Sequence, residues 1–159
     1  MPCYLFTYHA HGSWMPDRTQ GYVHRKEGVK PSDEEMARAY RQNQISPTAY
    51  FDSLIQTSLI EAARGACRHL DARCHAVVTE TTHVHILISW KSERSATSMS
   101  RSLKSALSRY LNQQFQQRQW LSKGASKQPV KDLEHYEYLV GVYLPKHRGV
   151  QWLEDRTNR

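Results

Sequence analysis

Cysteine is scarce in this chain: Cys3, Cys67 and Cys74 are the only three, and no two of them form a CxxC pair. An odd, scattered set supports neither a disulfide framework nor a zinc ribbon. Long apolar runs are also missing, and the opening Met1-Pro2-Cys3-Tyr4-Leu5-Phe6 has no basic stretch followed by an apolar one. No membrane span or secretory leader is therefore read from it, and a cytoplasmic protein is expected. Internal repeats and low-complexity tracts are absent, which excludes solenoids and fibrous designs. Acidic residues are in short supply, with 15 Asp+Glu against 22 Lys+Arg and a net charge of +7. Such a balance attracts polyanions, of which nucleic acid is the commonest in a cell, although a merely basic soluble domain has the same charge. With 39% hydrophobic residues in 159 positions, one domain spanning 1–159 with a real core is expected.

What the sequence does contain is an alternating stretch, Thr79 to Trp90. His83, His85, Leu87 and Ser89 fall on one side, and Val84, Ile86, Ile88 and Trp90 on the other. Period-two alternation rich in Val and Ile predicts a β-strand, on which residues i and i+2 point the same way. Two imidazoles then leave one face side by side, ready for a divalent ion if a third ligand arrives from elsewhere. A surface histidine beside a half-buried one would produce the same pattern.

The remaining elements follow in order. Cys3 to His9 reads as a first strand, followed by a turn-like His11 to Arg18 in which Trp14 is either a lid on the core or a stacking platform for a base. His9 and His11 repeat the two-residue spacing, but Gly12 disturbs the strand geometry there, so they rank below the later pair. Thr19 to Ser46 reads as a surface insertion with a short helix from Asp33 to about Gln44, and Arg18, Arg25, Lys26 and Lys30 make it a phosphate-contacting arm or a solvated loop. Ser46-Pro47 predicts the start of an amphipathic helix through Phe51, Leu54, Ile55, Leu59, Ala62, Ala66 and Leu70. Arg73 to Thr79 forms a hairpin with the His83 strand. Met99, Leu103, Leu107, Tyr110 and Leu111 mark a second helix with Tyr110 in the core. Trp120 to Pro129 reads as a loop, Val130 to Asp132 as a short fourth strand, Glu134 to about Leu144 as a last helix, and 152–159 as a frayed tail. Strand, helix, strand, strand, helix, strand is the βαββαβ order of an α+β, ferredoxin-like antiparallel sheet with helices on one face, here with an added C-terminal tyrosine-bearing helix.

A third ligand and a reacting group are sought in that last helix. Tyr143 and His147 are four apart and share a face if the helix survives Pro145, whose ring crowds the carbonyl of Gly141. Tyr138 and Tyr136 meet only Val142 and Val140 at that spacing. An ordinary core tyrosine at 143 would fit the sequence as well.

His83-Val84-His85 followed by Ile86-Leu87-Ile88 resembles the HUH motif (histidine, bulky hydrophobe, histidine) of the single-tyrosine transposases. These are the insertion-sequence enzymes that handle single-stranded DNA, together with the REP-associated tyrosine transposases. The opening Tyr4 to Pro16 also resembles the REP-associated branch, and the likeness spans nearly the whole chain. His147 in place of an amide, Pro145 and the 19–46 insertion are departures. The resemblance implies Tyr143 as nucleophile and His83, His85 and His147 as ligands of Mg²⁺ or Mn²⁺. It also implies a 5′-phosphotyrosine, a free 3′-hydroxyl, and single-stranded or hairpin DNA as partner. Three imidazoles would ordinarily suit Zn²⁺ better. Arg18, Arg101, Lys104, Arg109, Lys123, Lys127 and Arg148 are the candidates for gripping DNA phosphates. A non-cutting nucleic-acid module and a phosphodiesterase using water remain alternatives, and a dimer exchanging tyrosine helices stays open.

Overall fold

A computed structural model describes residues 1–13, 22–24, 28–30, 34–35 and 48–157. Expectations for Trp14, Arg18, Arg25 and Lys26 lie outside the described residues, as does most of the 33–44 helix, while the helix expected from Ser46-Pro47 begins only at Ser53, with Asp52 as its cap and Phe51 still outside it. Seven strands are described: β1 (Cys3–His9), β2 (Tyr22–His24), β3 (Gly28–Lys30), β4 (Ala72–Thr79), β5 (His83–Trp90), β6 (Ser126–Pro129) and β7 (Gln151–Leu153). The helices are α1 (Ser53–His69), α2 (Ala96–Gln114) and α3 (Leu133–Tyr138), the last continuing into a π turn (Leu139–Tyr143) and a 3₁₀ turn (Leu144–Lys146).

The main sheet has the order β6-β1-β5-β4-β7, with every pairing antiparallel. Its first four strands in this order are the ferredoxin-like arrangement, and the α+β expectation is met. β2 and β3 pair separately inside the 19–46 insertion. Asp52 caps α1 by accepting from the Ile55 N–H at 2.9 Å, and Ser95 caps α2 by accepting from the Ser98 N–H at 3.1 Å. Leu70 and Asp71 alone turn the chain from α1 into β4, with Asp71 at φ 52, a left-handed conformation that Asp tolerates.

The strand alternation sorts side chains into two layers. Phe6, Tyr8, Val77, Val84, Ile86, Ile88 and Trp90 face α1 and α2, joined by Leu59, Ala63, Met99, Leu103 and Leu107. Leu5, Ala76, Val78 and Leu87 face the other way, under Leu139 and Leu144. Burying each of those last two leucines is worth about 1.5–3 kcal/mol, which fastens the C-terminal segment to the second face. α1 and α2 thus cover one face while the tyrosine-bearing segment covers the other.

Four further expectations are corrected. The fourth strand is Ser126–Pro129, not Val130 to Asp132. It is a wholly exposed edge strand, so it offers no apolar alternation to read. The tail does not begin fraying at Trp152, because β7 pairs with the open edge of β4 and Trp152 lies under the Arg64 guanidinium at 4.4 Å. Tyr110 is half-buried at the rim of the core, and its hydroxyl donates to Glu61 Oε2 at 2.8 Å. The last helix is α-helical only to Tyr138.

Candidate active site

Backbone register brings the site together. β1 and β5 pair so that Thr7 lies opposite His85 and His9 opposite His83. Directly opposed residues share a face, so all four side chains leave the sheet on the side away from α1 and α2. The C-terminal segment crosses this face. Its helical turns end at His147, which is extended at φ −69, ψ 141. The helix therefore does not survive Pro145 intact, yet His147 still arrives over the strand pair. Ring centroids are 4.9 Å apart for His83 and His85, 4.6 Å for His85 and His147, and 5.7 Å for His83 and His147. One nitrogen from each ring lies within 4.8 Å of the others, so the three could hold a metal ion.

One nitrogen of each ring is already engaged by an oxygen. His147 Nδ1 lies 3.0 Å from the Leu144 carbonyl, which can only accept, so Nδ1 is the donor there. His85 Nδ1 meets Thr7 Oγ1 at 2.6 Å, and His83 Nδ1 meets Thr82 Oγ1 at 3.1 Å. Ligating histidines are held this way, with the remote nitrogen tied to an oxygen and the near one presented to the ion. Burial, with lesser contributions from His83, His147 and His9, pushes the His85 imidazole down to about 3. It is neutral at physiological pH, the state coordination requires. Thr7, Thr82 and the Leu144 carbonyl were not read from the sequence. Strand register and the turn after Tyr143 determine them, and neither is visible in a motif.

Tyr143 lies at the edge of this cluster. Its ring centroid is 5.6 Å from His85 and 5.3 Å from His147. Tyr138 stacks behind Tyr143 at 6.5 Å and is 48% exposed. Tyr136 turns elsewhere, its hydroxyl 3.1 Å from His75 Nδ1. His75 is the extra residue of a β-bulge between Cys74 and Ala76, which aims it at α3. Its Nε2 meets Ser89 Oγ at 2.8 Å and its Nδ1 meets Glu154 Oε2 at 3.3 Å. This second polar cluster fastens the start of the tyrosine-bearing segment to the sheet.

The basic candidates divide by face. Arg101 and Arg109 are exposed on α2 and line an open groove of about 520 Å³ against α1, on the far side of the sheet from the histidines. Lys104, also on α2, donates from Nζ to the Lys123 carbonyl at 2.7 Å, and its ammonium is depressed by burial. Lys123 is exposed beyond α2, and Lys127 lies on the outer edge of β6, opposite Phe6 on β1. Among the described candidates Arg148 alone adjoins the histidines, following His147 in the chain with its N–H on Glu80 Oε1 at 3.1 Å. Arg18 lies outside the described residues.

A family model described as IS200-like transposase matches residues 36–126, a span that includes both strand histidines. Among solved structures, the chain is similar to a REP-associated tyrosine transposase bound to a REP hairpin, at 11% identity and a TM-score of 0.50. That alignment covers 91% of this chain and 66% of the other, so this chain spans just under two thirds of that protein's length. It is also similar to a candidate transposase from Deinococcus radiodurans, at 13% identity and a TM-score of 0.47, with 94% of each chain covered. No curated protein sequence matches.

Proposed function

Because the chain belongs to the IS200-like transposase family, we propose that it cuts and rejoins single-stranded DNA at hairpin-associated sites with Tyr143 as nucleophile. The observation that carries this reading is the contact of the Tyr143 ring with two rings of the histidine triad. Tyr143 Oη, giving up its proton to water, would form a bond to phosphorus as the P–O3′ bond breaks. The products are a 5′-phosphotyrosine and a free 3′-hydroxyl. A covalent link retains the bond energy, so the same steps run backwards can join the strand to another end. The hairpin in the similar REP-associated structure is the basis for proposing hairpin-bearing DNA as the substrate.

The donor set fits a divalent ion. One nitrogen from each ring converges, His85 is neutral, and each Nδ1 has an oxygen partner. When bound, such an ion supplies Lewis-acid stabilisation of the charge that develops on a non-bridging phosphate oxygen. An all-imidazole set is a poor home for Mg²⁺, which prefers oxygen ligands, so Mn²⁺ is the better of the two ions the resemblance implies. Within the described chain, the His85 and His147 rings would hold Tyr143 beside the phosphate position.

A denaturing gel after incubation with hairpin-bearing single-stranded DNA and Mn²⁺ tests this. The wild type is expected to form a covalent adduct, Tyr143→Phe to bind DNA without forming one, and Tyr138→Phe still to form one. Free cleaved ends without an adduct would make water the nucleophile, and no cutting at all would leave a binding module.

A further inference from the structure

His9 meets the cluster at His83, at 5.8 Å between centroids. Tyr143 meets it at the opposite edge, through His85 and His147. The triad therefore lies between a tyrosine and a fourth histidine. His9 is held in place by its backbone, because β1 pairs it directly opposite His83 on the site face. It is half-buried. It stands outside the group whose nitrogens converge for a metal, so coordination does not account for it.

Displacement at phosphorus is in line: the attacking and leaving oxygens occupy opposite sides of the reacting centre. With a phosphodiester seated at the triad and Tyr143 on one flank, the leaving oxygen points to the other flank. We propose that His9 is a catalytic residue that donates an N–H hydrogen bond to the departing 3′ oxygen of the cleaved strand. The inference rests on the phosphotyrosine reading above. As the Tyr143 Oη–P bond forms and the P–O3′ bond breaks, the electron pair moves onto O3′. The His9 N–H steadies that charge until the oxygen takes a proton from water. In the joining direction the same N–H orients the incoming 3′-hydroxyl.

The test exchanges the leaving atom. A thiolate departs readily without a hydrogen bond, so a strand with sulfur replacing the bridging 3′ oxygen should not need His9. Adduct formation is timed for wild type and His9→Ala on both strands, with each rate normalised to the adduct-forming fraction. Mn²⁺ affinity is measured in parallel on the protein alone. His9→Ala should be slower by about 10²-fold on the oxygen strand, the usual cost of losing one donor to developing charge. It should be near wild type on the sulfur strand, with Mn²⁺ affinity unchanged. Equal slowing on both strands, no slowing on either, or a loss of Mn²⁺ binding would each overturn the proposal. A wild type that forms no adduct on either strand would instead remove the phosphotyrosine reading beneath it.

Discussion

A threonine sets how the most buried histidine of the triad is presented. Thr7 Oγ1 lies 2.6 Å from His85 Nδ1, and both residues are under 10% exposed. Without the hydroxyl, the ring could rotate about its Cβ–Cγ bond and present either nitrogen. Thr7→Val keeps the shape and removes the polar contact, so packing changes little while the ring loses its tie. Mn²⁺ affinity should fall by about 10- to 100-fold, the usual effect of removing such a partner, with the melting temperature of the ion-free protein nearly unchanged. Titration calorimetry checks this, and unchanged affinity would mean that Thr7 only packs. The two strand histidines were legible because alternation is a local property of the sequence. Thr7 was not, because its partnership depends on which residue of β5 it opposes, seventy-eight positions away.

Between single residues and the whole chain, the C-terminal segment shows where local rules stop. A uniform helix from Glu134 to Leu144 was expected, but a π turn and a 3₁₀ turn replace its second half around Gly141 and Pro145. The four-residue spacing of Tyr143 and His147 brought them together for a different reason: Leu139 and Leu144 dock on the sheet, and the chain then runs extended over it. Gly149 fixes that path. A Cβ there would lie 2.0 Å from the Thr79 carbonyl oxygen and 2.5 Å from Gln56 Oε1. Gln56 cannot easily give way, since its Oε1 also accepts from Thr79 Oγ1 at 3.1 Å and from the Val150 N–H at 3.0 Å. Gly149→Ala must therefore push residues 147–150 off the end of β4. Overpacking of this kind costs roughly 1–3 kcal/mol, a melting-temperature loss of roughly 3–10 °C in a domain of this size. Because His147 moves too, Mn²⁺ affinity should fall with it. A stable variant with intact metal binding would show that the segment can shift without cost.

The same scale includes the anchor that follows β7. Burial opposes the charge on Glu154, but the hydrogen bond and charge of Arg73, then those of His75, outweigh it and hold the carboxyl below its ordinary range. Arg73 Nε donates to Glu154 Oε1 at 2.9 Å. A carboxyl depressed in the folded state contributes stability above its unfolded pKa and loses it as pH falls through the folded value. Glu154→Gln should therefore melt below the wild type at neutral pH, with the gap narrowing as pH falls from about 4.5, the ordinary value. Melting curves from pH 7 to pH 3 check the trend; a gap that widened in acid would place the stabilisation elsewhere. β7 was missed because Gln151-Trp152-Leu153 is too short to alternate and pairs only because β4 would otherwise leave an open edge.

At the scale of the whole molecule, the question is which surface the +7 charge serves. The sequence gives a basic chain and a helical stripe with Arg101 and Arg109 off it, but not the side of the sheet on which the stripe lies. The structure puts these arginines, with Arg68 and His69, beside the groove between α1 and α2, and the histidines on the opposite face. A strand a few nucleotides long lying on the triad cannot also touch them, whereas a longer strand that passes around the edge of the sheet can. Each phosphate contact to a single strand adds about 0.7 to the slope of log affinity against log salt. Replacing Arg101 and Arg109 with glutamine should therefore lower the slope for a long strand by about 1.4, and leave both the slope and the cleavage rate of a short strand unchanged. Arg148→Gln, beside His147, should weaken the short strand as much as the long one. Fluorescence anisotropy between 50 and 200 mM salt, a range over which two such contacts are worth about a sevenfold change in affinity, separates the cases. Equal loss on both strands from the helix-face pair would mean that DNA reaches the histidines by a route that includes α2.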